Sequence, residues 1–324
     1  MNKLFPMVQR AWWLKLSVGV VFLCSMLLNA CMDPTSGSSF FGSSSPRIVL
    51  NSTDDLYRFL TYNEERFPLI SAHRGGALPG YPENAIETFE HNARQQPLII
   101  ECDIRMTRDS VLVLMHDEML DRTTTGSGLL ADYSYDELQG FLLEDNDGQV
   151  TKFKIPTLDE ALAWGEGQVI YTLDVKRGVP YHLVVEAIQR QRASSYAVVI
   201  TYNADQALMV HRLDPDLMIS ASIGSAGALH QLNDRNIPDN RLVAFVGTSE
   251  REQRMYDLLH GHGIMCILGT MGNLDRQAER QGEEVYIGLI ERGADILSTD
   301  RPIEAGRALD AYRQQRKISS RFVQ

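Results

Sequence analysis

From residue 68 onward, short apolar runs alternate with stretches of helical periodicity. The runs fall at 68–72, 98–104, 111–115, 169–175, 197–201, 217–221, 242–246, 264–268 and 295–299. Each is short and bounded by polar or turn-forming residues, the pattern of a buried strand. Helical apolar spacing lies between most of them and is clearest over 180–192 and 251–259. Ser134 followed by Glu137, and Thr157 followed by Glu160, have the capping-box spacing that opens a helix. Strands alternating with helices predict a parallel sheet. One pair of runs departs from this, because only Arg108, Asp109 and Ser110 separate the run that extends to Thr107 from the one at 111–115. So short a connection predicts a hairpin. A turn centred on Asp109 and Ser110 would pair Arg108 with Val111 and, further out, Asp103 with His116. Setting 111–115 aside leaves eight helix-linked strands, the number in a (β/α)8 TIM barrel.

The first 46 residues carry a different pattern. The charges of residues 1–30 are Lys3, Arg10 and Lys15, with no acid. The apolar stretch 14–28 is shorter than the roughly 20 residues of a membrane span. Leu28-Asn29-Ala30-Cys31 follows, and the whole looks like a bacterial lipoprotein signal. It predicts a signal peptide over 1–30 and export. The lipidated Cys31 would anchor the protein to the cell envelope, and that anchor would be its one contact with membrane. Residues 31–46 are rich in Ser, Gly and Pro and read as a tether, leaving one domain over 47–324.

Composition narrows the partners. The 324 residues carry a formal charge of −11, and losing the three N-terminal cations moves this to about −14. That balance excludes nucleic acid as the main partner but not a small anionic substrate, which needs only a local basic cluster. Cys24 would leave with the signal, and Cys102 and Cys266 sit singly in strands, so no disulfide framework or thiolate metal site is expected.

The candidate chemistry gathers at strand ends. Glu101 and Asp103 are two apart on a strand, so they share a face, and Cys102 takes the other. Two adjacent acids repel unless a cation lies between them, and Ca²⁺ and Mg²⁺ take oxygen ligands. His73-Arg74-Gly75-Gly76 follows the first strand and offers a titratable group beside a planar cation suited to phosphate. Thr172, Asp174 and Lys176 share a face on a later strand, either as ligand and phosphate contact or as a plain ion pair. Pro82-Glu83-Asn84 precedes a helix that Asn84 could cap, with Glu87 three residues on; capping leaves Glu83 unexplained.

As an ordered set these elements resemble the glycerophosphodiester phosphodiesterase family. The set runs His73-Arg74-Gly75, Pro82-Glu83-Asn84, Glu101-x-Asp103, His116-Asp117, Leu120 to Thr124, Ile155 to Leu158, and Ser298-Thr299-Asp300-Arg301-Pro302. The resemblance implies a (β/α)8 barrel with an insertion at about 117–157. It implies one divalent cation, Ca²⁺ or Mg²⁺, on Glu101, Asp103 and Asp174. It further implies His73 and His116 as an acid–base pair, taken as base and acid in that order, with Arg74, Lys176 and Glu83 toward the substrate. The implied reaction is hydrolysis of glycerophosphodiesters to glycerol phosphate and an alcohol through a cyclic phosphate. A phospholipase C- or D-type lyase on the same scaffold and a non-catalytic phosphodiester-binding lipoprotein are the alternatives. The family commonly carries Glu where this chain has Asp174, and a Trp-Thr-Val-Asn stretch where residues 267–273 stand.

Overall fold

The computed structural model describes residues 45–324, so the signal segment, Cys31 and most of the tether lie outside the described residues. All nine apolar runs form strands. They are β1 (Leu69–Ala72), β2 (Leu98–Met106), β3 (Leu112–Leu114), β4 (Ile170–Val175), β5 (Ala197–Thr201), β6 (Met218–Ser222), β7 (Leu242–Gly247), β8 (Cys266–Gly269) and β9 (Ile296–Thr299). Eight are parallel and close on themselves, since β1 pairs with both β2 and β9 and the others run between in sequence order. This is the expected (β/α)8 TIM barrel. β3 stays outside the ring as the antiparallel partner of β2. Both capping boxes form, at Ser134 and Thr157.

Alternation along the strands grades the lumen from dry to wet. Leu69, Ile99, Ile170, Val198, Met218, Val243, Met265 and Ile296 point inward at the N-terminal end, beneath Leu56, Phe59, Leu60 and Phe322, which plug the base. Two residues further along, Ser71, Glu101, Thr172, Ile200, Ser220, Phe245, Ile267 and Ser298 line a cavity of about 140 Å³ at the C-terminal end. The intervening residues face outward under the helices, and Cys102 and Cys266 are buried there as free thiols. A separate small core of Val113, Met115, Leu120, Leu130, Leu138, Leu143 and Ile155 holds the segment that follows β3.

The hairpin register differs by one residue from the expected pairing. Ile104 faces Leu114, Arg105 faces Val113 and Met106 faces Leu112, so Met115 rather than His116 comes opposite Asp103. The cause is Ser110, whose φ of 65° lies in the left-handed region. It adds a third residue to the turn, which closes where Thr107 N–H donates to Val111 O at 3.0 Å. A slip of one moves every side chain of the second strand to the other face. His116 therefore stands on the segment leaving β3 and is held by its own contacts: its carbonyl accepts from Arg105 Nε at 2.9 Å.

Candidate active site

The loop after β1 is built to present two atoms. Arg74, Gly75 and Gly76 all have positive φ, 52°, 84° and 78°, and only the glycines adopt this freely. The strain at Arg74 turns its N–H onto Glu101 Oε2 at 2.8 Å. The buried Asn92 side chain clamps the turn by donating to Gly75 O and Gly76 O at 2.7 and 2.8 Å. A Cβ on Gly75 would lie 2.3 Å from the Phe89 ring. Gly75→Ala is therefore expected to lower stability by about 2–4 kcal/mol, adding left-handed strain to overpacking. A thermal unfolding midpoint within error of wild type would refute this.

Three carboxylates converge below that loop. Oxygens of Glu101, Asp103 and Asp174 lie within 4.8 Å of one another, and all three residues are buried. Strand pairing sets this directly, because Asp103 is the register partner of Asp174. Lys176 Nζ sits 2.6 Å from both Asp103 Oδ1 and Asp174 Oδ2. Burial opposes ionisation of Asp103, but the Lys176 ammonium and Asn84 amide outweigh it and hold that carboxyl below its ordinary range. Glu101 has no such cation against it. Burial and then the Asp103 charge push its carboxyl up to about 8. An all-oxygen donor set with uncompensated negative charge fits a hard divalent cation.

The two histidines have separate carboxylate partners. His73 Nδ1 is 2.7 Å from Asp300 Oδ1. Burial disfavours its imidazolium, but that hydrogen bond and the Glu101 and Asp300 charges prevail and raise its pKa. His116 Nδ1 is 2.6 Å from Asp117 Oδ1. Asp117 in turn accepts from Arg122 Nε at 2.5 Å, and Arg122 reaches Glu83 at 2.7 and 3.0 Å. Glu83 also accepts from Arg74 Nη1 at 3.1 and 3.2 Å. Both oxygens of Glu83 are thus taken by arginines, so its place is behind the substrate-facing cations. His73 lines both the lumen cavity and an open cleft of about 710 Å³ that Arg74, Arg122, Asp147 and Asp300 share.

A family model described as the glycerophosphoryl diester phosphodiesterase family matches residues 73–265, which carry His73, the carboxylates and His116. The chain belongs to the glycerophosphoryl diester phosphodiesterase family. It is 30% identical over 251 residues to a glycerophosphodiester phosphodiesterase of Bacillus altitudinis, covering 73% of this chain and 96% of that one. The crystal structure of a glycerophosphoryl diester phosphodiesterase from Parabacteroides distasonis matches with a TM-score of 0.78 at 35% identity, over 83% of this chain and 95% of that one. An Oleispira antarctica phosphodiesterase, solved in complex with the product sn-glycerol-3-phosphate, shares the fold with a TM-score of 0.62 at 21% identity. That match covers 79% of this chain and 99% of the other.

Four residues of this family member hold positions that the sequence reading did not assign. Asn84 is not the helix cap: its φ is 57°, and the cap position falls on Ala85. Its amide instead brackets Asp103, donating to Oδ2 at 2.7 Å and accepting from the Asp103 N–H at 2.9 Å. Arg122 and Asp300 lie in motifs already noted, but nothing local assigns them to the histidines. Tyr202 follows β5 at the inward parity of Val198 and Ile200, a signal that extending the alternation by one step would have caught.

Proposed function

We propose that this chain hydrolyses glycerophosphodiesters to glycerol phosphate and an alcohol, with one divalent cation held by Glu101, Asp103 and Asp174. The observation that carries this is the buried three-carboxylate cluster beside His73 at the C-terminal mouth of the barrel. A cation bound there would offset phosphate charge and lower the pKa of the substrate hydroxyl. The chain's own residues do the rest. Arg74 offers its guanidinium to the phosphate from the cleft, with Glu83 fixing its orientation.

His73 and His116 divide the proton transfers. Nδ1 of each is taken by a carboxylate, which leaves Nε2 of each free to work. His73, which reaches into the lumen cavity, takes the proton of the substrate hydroxyl. His116 delivers one to the departing alcohol, steadied by Asp117 and Arg122. Water then opens the cyclic phosphate.

Cavity size bears on the substrate. The lumen cavity of about 140 Å³ is lined by Ser71, Thr172, Ser220, Ser222 and Ser298 as well as apolar groups. That suits a glycerol moiety, and an acyl chain would not fit, which favours deacylated glycerophosphodiesters over intact phospholipids. Product sn-glycerol-3-phosphate in the Oleispira relative agrees with this reading. The test is cation-stripped enzyme assayed on a panel of glycerophosphodiesters, with Ca²⁺ and Mg²⁺ restored in turn. Glycerol phosphate should accumulate only with a cation present. Cyclic phosphate as the end product would instead establish the lyase.

A further inference from the structure

Asp174 is the cluster's third acid, and it is held from two opposite sides. Its Oδ2 meets Lys176 Nζ at 2.6 Å, and its Oδ1 accepts from the Tyr202 hydroxyl at 2.7 Å. Tyr202 differs from the other aromatic residues of the lumen. Its side chain stands at the rim and the residue is 56% exposed, yet its hydroxyl points inward to a buried carboxylate. Its backbone is fixed independently, because Tyr202 N–H donates to Gln206 Oε1 at 2.8 Å, at the start of the helix Ala204–Leu213. Burial of the phenol and the Asp174 charge raise its pKa, so it remains a donor wherever the acid is ionised.

We infer that Tyr202 is a positioning residue for the divalent cation, holding one Asp174 oxygen against the pull of Lys176. Aspartate has one side-chain torsion fewer than glutamate, so its carboxylate follows whichever partner holds it. Lys176 alone would draw it into a closed pair with the ammonium. The tyrosine hydroxyl opposes that and fixes the plane of the carboxylate, as outer-shell groups do for ligating acids. This inference rests on the cation reading given above.

The test is calorimetric titration of the full cation-stripped chain with Ca²⁺ and, separately, Mg²⁺. Wild type is compared with Tyr202→Phe, which deletes only the hydroxyl, and with Tyr202→Leu, which deletes the ring as well. Both variants are expected to bind about 10–100-fold more weakly than wild type, with unchanged thermal unfolding of the cation-free forms. Wild-type affinity in Tyr202→Phe overturns the inference, whatever Tyr202→Leu does. If wild type itself binds neither ion, the cation reading fails and this inference falls with it.

Discussion

His73→Ala is expected to reduce turnover of a glycerophosphodiester by at least the roughly 10²–10⁴-fold that a positioned acid or base contributes. The fold should survive, because the imidazole's one hydrogen-bond partner, Asp300, is itself more than half exposed. His116→Ala should lose a comparable amount, since it stands at the rim on the segment leaving β3. The two losses separate on a substrate with an acidic leaving group, such as a nitrophenol ester. Such a group departs without a proton, so an enzyme lacking its general acid recovers on it and one lacking its base does not. The expected outcome is recovery for His116→Ala and none for His73→Ala. The reverse pattern would exchange the two roles, and wild-type turnover in both variants would remove them from the reaction.

Cation binding should release close to one proton at pH 7, and the source is Glu101. In the folded, cation-free chain its carboxyl is pushed from an ordinary value near 4.5 up to about 8. Between those limits the folded state holds a proton that the unfolded state has lost. Stability of the cation-free protein therefore falls as pH rises through this window. His73 has a raised pKa as well and contributes in the same direction, so the Glu101→Gln variant is needed to isolate the carboxyl. In that variant the slope should flatten, proton release should vanish and turnover should collapse. Calorimetry in buffers of different ionisation enthalpy measures the released proton directly. An unchanged proton count across Glu101→Gln would show that another group carries the effect.

How far the sequence reached is visible residue by residue. Strand alternation placed Glu101 and Asp103 on one face and Asp174 with Lys176 on another, and parallel pairing brings the two together as register partners. That inference needed only the two-residue period of a strand. The hairpin failed for a local reason, because a serine with positive φ gives none of the sequence signal that a glycine would. Asn84 failed for a non-local one. Its spacing to Glu87 imitates a cap, while its backbone conformation turns the amide onto a strand 19 residues away. Arg122, Asp300 and Tyr202 work through partners that only closure of the barrel and folding of the insertion bring near, and no periodicity records such contacts.

The ammonium of Lys176 has a consequence for how such a site comes into being. It is carried on the same strand as one of the two acids it joins, two residues beyond Asp174. The chain thus brings its own counterion to the step at which β2 and β4 meet, and the repulsion between Asp103 and Asp174 is cancelled as the strands pair. Folding of the barrel mouth does not have to wait for the ionic supply of its surroundings. What is left unbalanced is one carboxylate, Glu101, and a finished site with a single outstanding charge is one that can be loaded late and stripped again without dismantling the protein.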